Sequence, residues 1–230
     1  MLRMGAIMLV HSIFNSIDGE VNYYGQGMLT TFIRLQGCNL RCSYCDAPQA
    51  QDKIRTSENF SMTPMEIIKQ VEILGQNKVT ITGGEPLEQR KELLRLLVLF
   101  TKSFGQDFCL TIETNGSKSL KGISDMASWV VDYKLPSSGM EHAMNGEAFC
   151  FLTKKDVVKF VIQTKEDFNK AIQTIEEMWP DTEDTPVFAF SPVYKKLTPI
   201  RLLSWLNETY IPKLFKTALN VQLHKIIGLP

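Results

Sequence analysis

Short β-branched runs alternate along this chain with amphipathic helical stretches, and that alternation restricts the fold more than any single residue does. The runs 8–14, 31–36, 78–82, 108–114, 129–132, 157–163, 187–191 and 220–224 read as strands, most of them separated by a helix. Strands joined through helices favour a parallel sheet, so the class is α/β. The helix starts carry matching signals: in Thr63-Pro64-Met65-Glu66 the Thr can cap, Pro takes the first helical position, and Glu lies three residues after the cap. Ile67, Ile68, Val71 and Leu74 then share one face, and Leu93, Leu96, Leu97, Phe100 and Phe104 line the next helix, which Gly105 ends. A third helix runs from about Lys165 to Trp179, and a fourth begins near Thr198-Pro199 and includes Leu202, Leu203 and Leu206. Loops at 48–59, 136–146 and 180–186 are polar or contain Gly and Pro, and such loops at strand ends are where α/β folds build sites.

No repeat, low-complexity tract or Pro/Gly/Ser linker divides the 230 residues, which favours a single domain over 1–230. A chain of this length buries roughly 70% of its unfolded surface and needs no disulfide staple. The 25 Lys+Arg balance 25 Asp+Glu, which argues against a generalised nucleic-acid or membrane-surface binder. The amino terminus holds one Arg and a short apolar stretch without a small-residue cleavage site, and it reads as a strand. The most apolar helical stretch, 93–100, is broken by Arg95 and falls far short of the roughly 20 residues of a membrane span, so no transmembrane segment is expected.

Five cysteines are too few for a secreted disulfide scaffold. Cys38, Cys42 and Cys45 fall in one C-x3-C-x2-C run, while Cys109 and Cys150 stand apart and read as small buried hydrophobes. This is the distribution of a metal or cluster site in a reducing compartment, and it points to the cytoplasm. A structural zinc wants four side chains, and the nearest further cysteine, Cys109, lies in an apolar strand. Three thiolates suit a four-iron cluster whose last iron stays open to a small molecule. Downstream, Thr82-Gly83-Gly84-Glu85-Pro86 follows a strand; the glycines allow close backbone approach to a ligand and the Glu85 region can accept from a cationic amine, the alternative being a plain turn. Glu113-Thr114-Asn115-Gly116 ends the next strand, where polar groups can meet ribose hydroxyls or simply form a turn.

The cysteine run, with aromatic Tyr44 before its last member, resembles the radical S-adenosylmethionine (SAM) superfamily, as does the GGEP element after it. The resemblance implies a partial (β/α)6-type TIM barrel with its site at the carboxyl-terminal mouth, a [4Fe-4S] cluster on the three cysteines, and SAM chelating the open iron. Tyr44 would hold the adenine, Gly83, Gly84 and Glu85 the amino group, and Glu113 and Asn115 the ribose. Reductive cleavage would then yield a 5'-deoxyadenosyl radical.

More peripheral segments resemble the 7-carboxy-7-deazaguanine synthase family. These are Ser16-Ile17-Asp18-Gly19-Glu20, Phe32-Ile33-Arg34-Leu35, Asp132-Tyr133-Lys134-Leu135-Pro136-Ser137-Ser138-Gly139-Met140, Phe190-Ser191-Pro192-Val193 and Gln222-Leu223-His224-Lys225. The likeness implies contraction of 6-carboxy-5,6,7,8-tetrahydropterin with loss of ammonia, on the way to queuosine and related 7-deazapurines. It implies a homodimer and an electron donor such as flavodoxin or ferredoxin. Lys134, Ser137 and Ser138 join the expected cofactor contacts.

A pterin offers a guanidine-like edge, a stacking ring and a carboxylate. Asp18, Gly19, Glu20 and the terminal carboxylate of Pro230 would meet the edge, Arg34 would fork to the carboxylate, and His224 would donate to the carbonyl or move a proton. Two positions depart from the family pattern: Asp18 stands where Gln is usual, and Ala47 follows Cys45-Asp46 where Thr or Ser helps hold Mg²⁺, leaving Asp46 as the candidate ligand. A glycyl-radical activase is the competing enzyme reading, and a zinc-stabilised nucleic-acid-binding module the competing reading of another class.

Overall fold

The computed structural model describes residues 7–53, 59–105, 108–180 and 183–229. Its strands are β1 (Met8–Ile17), β2 (Leu29–Leu35), β3 (Phe60–Met62), β4 (Lys78–Gly83), β5 (Cys109–Thr114), β6 (Ser128–Tyr133), β7 (Val157–Ile162), β8 (Val187–Pro192) and β9 (Thr217–Leu219). They form one sheet in the order β3-β1-β2-β4-β5-β6-β7-β8-β9. Pairing from β2 through β9 is parallel, whereas β1 pairs antiparallel with β2 and with β3.

Helices α1 (Pro64–Leu74), α2 (Arg90–Phe104), α3 (Lys165–Met178) and α4 (Pro199–Asn207) follow the strands as the periodicity predicts, and the short α5 (Ile211–Leu214) and α6 (Leu223–Ile227) close the chain. Thr63 caps α1 in a full capping box with Glu66, and Gly75 ends it in the left-handed conformation. The stop at Gly105 ends α2 as expected.

Two expectations fail locally, the strand over 220–224 and the burial of Cys150. The run 220–224 is no strand: β9 ends at Leu219, and α6 begins at Leu223, after Gln222. The β5–β6 and β6–β7 connections carry only single 3-10 turns, at Ser124–Met126, Pro136–Ser138, Glu141–Ala143 and Gly146–Ala148. Buried Leu120, Ile123, Leu135, Phe149 and Leu152 from those connections pack into the main core, covering the sheet where a helix would otherwise lie. Cys150 is exposed, because Phe149 takes the inward position at the end of its turn. Trp129 is fully buried, and Trp179 and Trp205 pack against the same core.

Strand alternation sorts each strand's side chains onto two faces. Ile33, Leu35, Val79, Ile81, Ile112, Trp129, Val131, Val158, Phe160, Phe188 and Phe190 belong to the main core with the helices. The intervening positions, Phe32, Arg34, Thr82, Glu113, Asp132, Lys159 and Val161, line a cavity at the carboxyl-terminal mouth. A small apolar cluster of Val130, Val157 and Ala189 is separate from the main core.

Candidate active site

The cysteine-bearing loop closes on itself just past β2. The Gly37 N–H donates to the Ala50 carbonyl at 2.8 Å and the Cys38 N–H to the Gln51 carbonyl at 2.7 Å. The Gln36 amide donates to the carbonyls of Gln49 and Asp52 at 2.9 and 2.7 Å. Backbone groups that a loose loop would leave to water are thereby paired, and the thiols are held in place. Cys38, Cys42 and Cys45 all line one cavity of about 470 Å³. Burial pushes the Cys38 and Cys42 thiols above their ordinary range, so assembly of a thiolate site there must displace protons.

Of the GGEP element, Gly83 and Gly84 line the cavity while Glu85 lies behind its wall. Glu85 is fully buried: its Oε1 accepts from the Leu87 N–H (2.9 Å) and the Thr114 hydroxyl (2.7 Å), and its Oε2 from the Asn115 N–H (2.7 Å). Burial pushes its carboxyl up against the pull of these bonds. The side chain ties the end of β4 to the end of β5. The glycines also admit neighbouring chain: a Cβ on Gly83, whose φ is +132°, would lie 2.2 Å from the Leu35 carbonyl oxygen, and one on Gly84 would lie 2.2 Å from that of Gly37. The Glu85 N–H donates to the same Gly37 carbonyl at 2.8 Å, joining this strand end to the cysteine loop.

Ser137 and Ser138 are likewise clamps. The Ser43 hydroxyl donates to the Ser137 carbonyl at 2.6 Å, the Ser43 N–H to the Ser138 carbonyl at 3.1 Å, and the Ser137 N–H to Asp167 Oδ1 at 2.9 Å. Ser138 spends its hydroxyl on the Leu135 carbonyl at 2.6 Å. These bonds fasten the cysteine loop to the start of α3, and Lys134 is the member of the expected trio on the cavity wall. Asn115 also lines it, donating to Asn39 Oδ1 at 3.0 Å and to Cys38 Sγ at 3.7 Å.

A chain of charges crosses the cavity. Glu20 pairs with Lys159 and accepts from Gln222 Nε2 at 2.7 Å. Lys159 also reaches Asp132 Oδ1 at 3.0 Å, and Lys134 meets Asp132 Oδ2 at 2.7 Å. Burial works against the Asp132 carboxylate, but Lys134 and Lys159 outweigh it and hold its pKa below the usual range. Both lysines, despite burial, are held firmly protonated, by Asp132 foremost, with Glu20 and Glu113 adding to it at Lys159. Glu113 accepts from the Thr82 hydroxyl at 2.7 Å, and burial pushes its carboxyl up to about 7. Arg34 makes no ion pair among the described residues and stands 5.5 Å from the Phe14 ring centroid. His224 packs against Gly19, where a Cβ would strike its Nδ1 at 1.8 Å, and burial lowers its pKa.

Asp18 departs from its expected role. Its side chain is 2% exposed and pairs with Lys78, and its Oδ1 accepts from the Thr80 hydroxyl at 2.7 Å. Lys78 also reaches the hydroxyls of Thr80 and Thr111 at 3.2 Å. The pair is buried beneath the 18–20 turn, and Gly19 and Glu20 rather than Asp18 face the cavity. Pro230 lies outside the described residues. Lys159 and Lys78 escaped the sequence reading, although a lone lysine in VVKFVI and one opening KVTITG were signals that these strands face something other than a dry core.

The Radical SAM superfamily model matches residues 32–135. A protein of Clostridium acetobutylicum named 7-carboxy-7-deazaguanine synthase is 40% identical over 222 residues, covering 94% of each chain. The chain belongs to the 7-carboxy-7-deazaguanine synthase family of radical SAM proteins. Another family member of that name, from Methanospirillum hungatei, is 34% identical and covers 97% of this chain and 86% of its own. QueE from Escherichia coli, at 22% identity, superposes with a TM-score of 0.72 over 95% of both chains, and shares the partial-barrel fold.

Membership of this radical SAM family implies a [4Fe-4S] cluster and SAM, and the residues fit both. Cys38, Cys42 and Cys45 bring three thiols to one cavity wall, the donor set that a four-iron cluster with one open iron takes. The Tyr44 hydroxyl is buried without a hydrogen-bond partner on the same wall, a vacancy that a polar ligand would answer. Magnesium does not fit. Ala47 offers a methyl group, and the Asp46 carboxylate stands 3.6 Å from the Lys225 ammonium.

Proposed function

We propose that this chain is a 7-carboxy-7-deazaguanine synthase, contracting 6-carboxy-5,6,7,8-tetrahydropterin to the 7-deazapurine with release of ammonia. The observation that carries the reading is that Arg34, Glu20 and His224 line the same cavity as the three cysteines, so a cation, an acceptor and an imidazole surround whatever lies beside them. When bound, the cluster and SAM supply a one-electron cleavage that ends in removal of a hydrogen atom from the substrate. The protein's own part is to bind, orient and exclude water.

Arg34 takes the substrate carboxylate, since its guanidinium is uncommitted to any acid among the described residues and its fork matches two oxygens. Glu20, paired with Lys159, accepts from the guanidine-like edge. His224, kept neutral by burial, donates to the ring carbonyl. Glu113, titrating near 7, can hold a proton at its carboxyl and give it to departing nitrogen. Gly83 and Gly84 present backbone to the SAM amino group, Tyr44 packs on its adenine, and Asn115 and Lys134 flank it.

We further read the chain as one domain over 1–230, acting as a cytoplasmic homodimer and reduced by a flavodoxin or ferredoxin. Among the described residues no helix is long and apolar enough to cross a membrane. Anaerobic incubation of reconstituted protein with SAM, dithionite and the carboxypterin, followed by mass spectrometry, tests the function. The deazaguanine product is expected; SAM cleavage without ring contraction would overturn the substrate assignment.

A further inference from the structure

Resting on the reading above, we propose that the Lys225 ammonium does the work of a divalent cation at the cavity mouth, donating to a substrate oxygen and making the reaction independent of added magnesium. Three observations carry this. Ala47, directly after Asp46, lines the cavity and brings no ligand atom to it. Lys225 lines the same wall, with its Nζ 2.8 Å from Gln222 Oε1 and 3.6 Å from Asp46 Oδ2. An ammonium has three N–H donors; Gln222 takes one, while Asp46 at that distance neutralises charge without forming a short hydrogen bond. At least one donor is left for a ligand.

The ammonium is also held in place. Gln222 accepts from Lys225 through Oε1 and donates through Nε2 to Glu20 at 2.7 Å, so both ends of the amide are engaged and its orientation is set. The Leu223 N–H donates to the Gly19 carbonyl at 2.9 Å, which fastens α6 to the turn that carries Glu20. The cavity therefore holds an oriented N–H donor on Lys225, linked through Gln222 to a residue proposed to grip the pterin edge. Magnesium needs oxygen donors in a near-octahedral set, and a cation beside the one available carboxylate works against its entry. A fixed ammonium supplies charge and direction without that set.

The test uses the reconstituted holoenzyme. Paramagnetic titration with Mn²⁺, in the presence of SAM and carboxypterin, is expected to show no stoichiometric site in the unaltered protein. Product formation after chelator treatment should change less than about twofold on adding Mg²⁺. Lys225→Met should raise KM for the pterin by roughly tenfold or more, the loss of one charge-assisted hydrogen bond, with Lys225→Arg recovering part of it. The double variant Ala47→Thr/Lys225→Ala, which restores a hydroxyl and removes the cation, should gain both Mn²⁺ binding and a response to Mg²⁺. Stoichiometric Mn²⁺ binding by the unaltered protein, or a strong dependence of its product on Mg²⁺, would overturn the proposal. If no deazaguanine forms under any condition the synthase reading fails, while the Mn²⁺ titrations still decide whether Lys225 excludes the metal.

Discussion

Lys159 of β7 and Glu20, 139 residues earlier in the chain, form an ion pair inside the barrel, and the same ammonium lies 3.0 Å from Asp132. Among the described residues this is the only cation paired with Glu20, whereas Asp132 also meets Lys134 at 2.7 Å. Substituting Lys159→Met keeps most of the stem but strips Glu20 of its cation while Asp132 keeps Lys134, and removal of one member of a buried pair costs about 3–5 kcal/mol. Urea unfolding of the apo protein should show a loss of this size, together with weakened pterin binding. A loss below about 1 kcal/mol would mean that water already carries these charges.

The Asp18–Lys78 pair makes the complementary prediction. Lys78→Met alone strands a carboxylate that is 2% exposed and should cost about 3–5 kcal/mol. Adding Asp18→Asn should recover most of it, because a neutral amide can still meet the Thr80 hydroxyl. If the double variant is no more stable than the single one, the two groups are not energetically coupled.

Glu113 gives a pH dependence with a definite sign. Its carboxyl is pushed from the usual 4.5 up to about 7 by burial, with Lys159 pulling it down and Glu20 pushing it up. The folded state therefore holds this proton more tightly than the unfolded state, and the stability it contributes is full below pH 4.5 and lost as pH rises through about 7. Glu113→Gln stays neutral throughout. The melting temperature of the apo variant should gain on that of the unaltered protein between pH 4.5 and 7 and then level; a difference that is flat across this window would reject the assignment.

Gly84→Ala places a methyl 2.2 Å from the Gly37 carbonyl and 2.6 Å from that of Ala50, both backbone atoms of the cysteine loop. Such overpacking costs roughly 1–3 kcal/mol and must shift the loop. Reconstituted Gly84→Ala should retain less iron per chain and show weaker cluster absorbance than the unaltered protein. Full iron loading would show that the loop can yield without disturbing its thiols.

The cysteine spacing, GGEP and the strand periodicity were legible because they are local: three thiolates within one loop, two glycines at a strand end, alternate apolar residues along a strand. The strand expected over 220–224 failed for the opposite reason. Its apolar residues carried no period long enough to decide, and the Gly19 carbonyl takes the Leu223 N–H that a strand would have used in the sheet. Glu85, Ser137 and Ser138 carried family motifs, but the motif shows only that such residues recur together; hydrogen-bond partners 30 and 94 residues away show that they brace the site.

The amino-acid sequence by itself determined the α/β class and the loop that carries three cysteines, because each is written in neighbouring residues. Only the tertiary structure decided which charges meet. Glu20 with Lys159, Asp18 with Lys78 and Asp46 with Lys225 are contacts between separate elements. Their energies depend on separation and burial, and neither quantity exists until the barrel has formed.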